Sequence, residues 1–227
     1  MTETPGTDAA ELELPRSVAL VWGIAANPQR GPKREMSVER IVDAAVEIAD
    51  AEGLAAVSMS AVAASLGFTP MSLYRYVTAK DDLLMLMQEE AIGVPSEETR
   101  TTQGWRARLT LLYDEQVARY LRHPWVLDIP INGSPITPNN AAWMDAGLHA
   151  LAETPLSYDE QLSVMLLVTG LSRWAGTIYS GYARSQRELG VTDADFALRE
   201  DALFRALVTA DEYPDLAEAI ASGVFLS

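Results

Sequence analysis

No cysteine occurs among the 227 residues, which removes disulfides, thiolate nucleophiles and cysteine-based metal sites together. Histidine is almost as scarce: only His123 and His149 are present, and no His-x-x-x-His pair exists. The chain also lacks a Gly-x-Ser-x-Gly elbow and a glycine-rich phosphate loop. Acidic pairs such as Asp81-Asp82 and Glu97-Glu98 read as solvated faces. An enzyme is therefore not expected, and neither is a metal or a cofactor. No run of about 18 apolar residues suggests a membrane span. The acidic, polar start MTETPGTDAAELELPRS fits neither a secretory signal nor a transit peptide. A cytoplasmic location away from membranes is the expectation.

Positive charge is the last scarcity. Seventeen basic residues face 32 acidic ones, for a net charge of −15, and only two of the basic residues are lysines, Lys33 and Lys80. The summed field of such a chain repels phosphate. That excludes non-specific coating of nucleic acid but not local, shape-matched docking. The two lysines bracket one segment, with Arg30, Arg34, Arg40 and Arg75 nearby.

Inside that bracket, residues 53–80 read GLAAVSMSAVAASLGFTPMSLYRYVTAK. Ser58 is placed to cap a helix whose apolar positions are Val62, Ala63 and Leu66. Gly67 follows where a helix ends in a left-handed residue. Thr69 is placed to cap the next helix, with Pro70 in its first turn, where a missing N–H costs nothing. Ala63 and Gly67 are small where two steeply crossed helices touch, and Leu73 and Val77 point back into that contact. Ser72, Tyr74, Arg75 and Tyr76 then face outward. This is the build of a helix-turn-helix, whose second helix enters the DNA major groove.

Upstream, residues 27–34 (NPQRGPKR) form a basic arm punctuated by proline and glycine, of the kind that reaches into a minor groove through Arg30, Lys33 and Arg34. Residues 17–26 are apolar enough for a short strand or helix. Ser37 caps a helix to about Glu52, and residues 79–92 read as a helix with Asp81 and Asp82 in its first turn. After the break at Gly93-Val94-Pro95-Ser96, helices are predicted at about 102–121, 138–152, 157–188, 194–210 and 214–222. The helix from Ser157 is apolar on nearly all sides and demands cover, which a second subunit would supply. The expected domains are 1–35 (acidic tail and basic arm), 36–93 (helix-turn-helix domain) and 94–227 (ligand-binding and dimerisation domain).

Residues 36–92 closely resemble the tetracycline-repressor (TetR) family of bacterial transcriptional regulators. The resemblance covers the first helix, the Gly-Leu junction, the helix-turn-helix, the Leu-Tyr-x-Tyr-Val stretch and the closing lysine with its apolar helix. It implies an all-α homodimer with an N-terminal three-helix DNA-binding domain and a C-terminal helical domain that holds a small-molecule effector. Ligand binding then usually releases a double-stranded operator. On this resemblance Ser58 and Ser60 fall where the second helix touches phosphate or a base edge. Thr69, Pro70, Met71 and Ser72 fall at the groove floor, and Tyr74, Tyr76 and Lys80 at phosphate-contacting positions. Neither histidine falls on a metal-ligand position of the tetracycline-binding members, so a magnesium–tetracycline effector is not expected.

Several side chains admit two roles. Arg75 could fork onto guanine O6 and N7 or contact phosphate. Met71 and Pro70 offer only apolar contact, and Tyr74 and Tyr76 serve either phosphate or packing. Trp105, Trp125, Trp143, Met144, Met165 and Trp174 line a ligand cavity or belong to the core and the dimer interface. Arg173 interrupts an apolar run and needs either an acidic partner or an anionic ligand group. The rival to a ligand-released regulator is a ligand- or protein-binding helical dimer that no longer contacts DNA.

Overall fold

The computed structural model describes residues 14, 16–24, 36–131 and 137–224. Among them every regular element is helical, as the sequence predicts. The chain divides into two compact units, residues 1–177 and 178–227.

The first unit begins with α1 (Arg16–Val21), whose Val18 is buried and whose Val21 packs on the core of the helices that follow. α2 (Val38–Glu52) starts at Ser37, whose hydroxyl accepts from the Arg40 N–H at 3.3 Å, and stops at Gly53. It buries Val38, Ile41, Val42, Ala45 and Ala49, one stripe at helical spacing. After a 3₁₀ turn at Leu54–Ala56 come α3 (Met59–Ser65) and α4 (Pro70–Leu73). α5 (Lys80–Ile92) then lays Leu83, Leu86, Met87 and Ala91 on the same core. Each fully buried side chain here, Ile41, Leu73 and Leu83 among them, contributes about 1.5–3 kcal/mol of transfer energy.

The short α6 (Glu98–Thr101) leads to α7 (Trp105–Arg122), a 3₁₀ turn at Pro124–Asp128 and α8 (Pro138–Leu151). A second core of Leu109, Leu112, Trp143, Ala146, Ala150, Leu151 and Met165 joins α7 and α8 to the first half of α9 (Tyr158–Leu189). α9 opens on a reciprocal cap: Ser157 N–H donates to Glu160 Oε2 at 2.7 Å, and the Glu160 N–H reaches back to Ser157 Oγ at 3.4 Å.

In the second unit α9 ends at Leu189. α10 (Asp193–Leu207) follows, capped by Thr192, and then α11 (Pro214–Ala221). Arg205 ties the unit together, bonding Asp201 at 2.6 Å and the Ile220 carbonyl at 2.8 Å.

Three details depart from the sequence reading. Thr69 stands before α4 but does not cap it; its hydroxyl pairs with that of Ser72 at 3.1 Å. Gly67 is not a packing contact, since a Cβ there would meet nothing within 4 Å. Its requirement is its φ of +77°, which lets Gly67 N–H reach Ala64 O at 3.1 Å and Phe68 N–H reach Ala63 O at 2.8 Å. Finally, α4 is a single turn, and residues 74–76 continue it as a turn rather than as helix.

Candidate functional site

The helix-turn-helix separates its two faces cleanly. Val57, Met59, Val62, Ala63, Leu73 and Val77 are buried and fix how α3 and α4 cross. On the other side Ser58, Ser60, Thr69, Met71, Tyr74, Arg75 and Lys80 are exposed. Met71, at 75% exposure, is a thioether standing in water with no packing role. Ser58 caps α3 by accepting the Ala61 N–H at 3.0 Å, which leaves its own O–H to donate outward. Arg75 makes no hydrogen bond or ion pair among the described residues. Pro70 and Ser72 are half-buried, and so is Tyr76, which packs against the core. Lys80 is the first residue of α5, followed by Asp81 and Asp82, which suit the positive end of the helix dipole. Arg30, Lys33 and Arg34 lie outside the described residues.

A cavity of about 230 Å³ opens between α5, α7, α8 and α9. It gathers three of the suggested ligand residues, Trp143, Met144 and Met165, with Ile92, Tyr120, Leu162 and Leu166. Its polar lining is Gln116, Arg119, Asn140 and Thr169. The other suggested residues lie elsewhere. Trp105 borders an open cleft at the start of α7, with the Arg106 guanidinium 4.5 Å from its ring centre. Trp125 is buried, and its indole N–H donates to Asp50 Oδ1 at 2.6 Å. Trp174 is 64% exposed on α9. Arg173 is half-buried and pairs with no acid among the described residues. It donates to the Leu127 carbonyl at 3.2 Å and lies 5.7 Å from the Tyr120 ring.

The end of α5 forms one wall of this cavity and is held by its other walls. Trp143 Nε1 donates to the Gly93 carbonyl at 2.9 Å, and Arg119 Nη2 to the Val94 carbonyl at 3.1 Å. Asn139, beside the lining residue Asn140, donates to the Glu89 carboxylate at 2.7 Å and to its carbonyl at 2.8 Å. α5 is thus a rod of 13 residues, about 20 Å long, running from the exposed Lys80 to the cavity.

Burial raises the Tyr120 phenol above its ordinary value of 10.0, while the nearby Arg173 pulls the other way by charge and hydrogen bonding. The unfolded chain therefore releases this proton first. Stability is intact below about pH 10 and falls as pH rises through the folded value. Tyr120→Phe is expected to remove that loss. Urea midpoints of parent and variant at about pH 8 and about pH 11 should differ in opposite proportion. An offset of equal size at both would exclude Tyr120 as the source.

Sequence reasoning passed over Arg119, Gln116 and Asn140. A signal existed for two of them. α7 buries Leu109, Leu112 and Tyr120 along one stripe, and Gln116, with Arg119 beside it, interrupts that stripe with polar groups. Among the described residues no group of histidine and carboxylate side chains is arranged to hold a metal ion, and no helix is long and apolar enough to cross a membrane.

Comparison with known proteins agrees with this arrangement. The HTH-type transcriptional repressor DrrR1 of Streptomyces coeruleorubidus is 35% identical over 218 residues, 95% of this chain and 79% of that protein. An HTH-type transcriptional regulator of Saccharopolyspora erythraea is 28% identical over 79% of this chain and 69% of its own length. Among solved structures, apo ActR of Streptomyces coelicolor superposes with a TM-score of 0.68 at 21% identity, over 84% of this chain and 86% of that one. ActR in complex with actinorhodin gives 0.66 at 24% identity, covering 82% and 84%. At these identities the structures speak for the fold alone. The pattern of the bacterial regulatory proteins of the tetR family matches residues 41–86, and that of the tetracyclin repressor-like C-terminal domain matches residues 97–226. With a buried-and-exposed helix-turn-helix ahead of a helical domain and both patterns in order, the chain belongs to the tetR family of bacterial transcriptional regulators.

Proposed function

We propose that this regulator is a cytoplasmic repressor, without enzymatic activity, that binds an inverted-repeat operator as a homodimer and lets go when a small molecule fills its cavity. Residues 36–93 form the DNA-reading domain, and residues 94–227 form the effector and dimerisation domain. The observation that carries the reading is the exposed row along the helix-turn-helix and its flanks, from Ser58 to Lys80. Arg75 has no partner among the described residues, and Ser58, Ser60, Tyr74 and Lys80 accompany it over a packed underside. Arg75 and Met71 face the bases, while the serines, Tyr74 and Lys80 hold phosphate. Tyr76, half-buried, contributes mainly packing, and the arm residues Arg30, Lys33 and Arg34 add charge to a molecule that otherwise repels DNA.

Release by a ligand is supported by the cavity behind α5 and by the ActR structure that holds actinorhodin. Repression is supported by the name of DrrR1. Dimerisation is supported by α9, where Leu167, Leu171 and Trp174 are 72%, 58% and 64% exposed along one side. A two-fold protein is mirrored in two-fold DNA, hence the inverted repeat.

The test is a gel shift with DNA from upstream of the chain's own coding region. Retardation that weakens steeply with salt is expected. Its absence on that and neighbouring intergenic DNA would favour a ligand- or protein-binding dimer, which the net charge of −15 would suit. Arg75→Ala is expected to cost roughly 1–3 kcal/mol and to relax preference at one base pair per half-site. Equal weakening on all sequences would move Arg75 from base to phosphate.

A further inference from the structure

Among the described residues, the lining of the cavity behind α5 holds one cation and no acid. Among the described residues Arg119 and Tyr120 are the titratable ones in that lining, and burial pushes the Tyr120 phenol above its ordinary value of 10.0, so it is neutral at neutral pH. Arg119 is half-buried and pairs with no carboxylate among the described residues. Its natural partner one helical turn earlier, Glu115, is taken up elsewhere, accepting both the N–H and the hydroxyl of Ser96. Glu89 and Glu90, the acids near the end of α5, line a different cleft, toward α1 and α2, and Glu89 receives Asn139.

The Arg119 guanidinium is nevertheless held in place. One N–H group bonds the Val94 carbonyl at 3.1 Å. Gly93 makes room for the head: its φ is +56°, and a Cβ there would stand 2.6 Å from Arg119 Nη1. Of five N–H donors, one is committed to protein in the described structure. The apolar walls include Trp143, Tyr120, Met144, Met165 and Ile92, residues that favour a flat, apolar body.

From this we infer that the effector is an organic acid with an aromatic body, its anionic group paired to Arg119 and its rings against Trp143 and the two methionines. The inference deepens the reading of the chain as a ligand-released regulator and rests on it. Arg119 lines a largely apolar cavity, and its head, held at the Val94 carbonyl, has donors to spare, so an anionic acceptor is rewarded over a neutral one. A neutral analogue of the same shape fills the same space but leaves those donors to weaker partners.

The experiment is titration calorimetry on the full chain without DNA, using naphthoate and its neutral counterpart naphthamide. Naphthoate is expected to bind about tenfold more tightly, roughly the worth of one charge-assisted hydrogen bond. Arg119→Gln should level the two, and Arg119→Lys should restore part of the difference. Equal affinities in the parent chain would overturn the inference, as would no binding of either probe at millimolar concentration. So would a preference that survives Arg119→Gln. The parent comparison needs no variant, so it decides the matter even if Arg119→Gln folds poorly. Operator binding is measured separately without probe. A chain that retards DNA yet shows no preference for naphthoate loses the ligand class and keeps the regulator reading.

Discussion

Replacing Leu167 and Trp174 together by aspartate is expected to leave the fold intact, halve the molecular mass in solution and abolish operator binding at working concentrations. Both side chains are largely exposed in the single chain, 72% and 64%, so neither substitution opens a cavity in its own protomer. They lie two turns apart on α9, with Leu171 between them at 58%, and form one continuous apolar strip. A carboxylate pressed into an apolar helix–helix contact must lose its hydration without a partner, which costs several kcal/mol per charge. In the proposed dimer the contact is two-fold, so each substitution acts twice. A dimer engages its second half-site intramolecularly. A monomer forfeits that advantage, on the order of 10²–10⁴-fold in apparent affinity. Sedimentation at micromolar concentration should show one 24.7 kDa chain in place of two. Far-UV circular dichroism should be unchanged. A double variant that stays dimeric would place the interface away from this face of α9.

Most of what the sequence made legible was set by neighbours within a turn or two. Ser37 and Ser58 cap α2 and α3 as read, because a cap is a contact over three residues. Thr69 looked like the same signal but bonds Ser72, for a second hydroxyl three residues on competes for it. The helix α6 went unread because residues 96–101 contain no apolar residue to set a period. It is organised by polar contacts instead, with the Thr99 hydroxyl on the Ser96 carbonyl at 2.7 Å and Ser96 on Glu115. The exposed face of the helix-turn-helix was legible because its buried complement is periodic. The cavity was legible only in part. Trp143, Met144 and Met165 were singled out for their chemistry, yet Trp105 and Trp125 share that chemistry and sit elsewhere. What brings Arg119 to Val94 is a meeting across 25 residues, and no local pattern announces it.

The same limit hid Asp50, where the other large effect is expected. One oxygen of its carboxylate accepts two bonds from the turn that follows α7, His123 Nδ1 at 2.8 Å and the Trp125 indole N–H at 2.6 Å. The partners are 73 and 75 residues away, so α2 and the Pro124–Asp128 turn are tied at one point. Trp125 is 2% exposed, so its N–H depends mainly on Asp50, whereas His123 is partly open and finds solvent more readily. Asp50→Ala therefore strands one buried donor and removes a charge-assisted bond. An expected destabilisation of about 2–4 kcal/mol follows, at the upper end for a single side chain that contributes little apolar burial. Trp125→Phe keeps most of the packing and removes the donor, so it should cost less. In the Trp125→Phe background Asp50→Ala should lose much of its effect, which a double-mutant cycle by urea unfolding reads as coupling. Additive losses would mean that Asp50 acts on α2 alone and that the tie to Trp125 contributes nothing to stability.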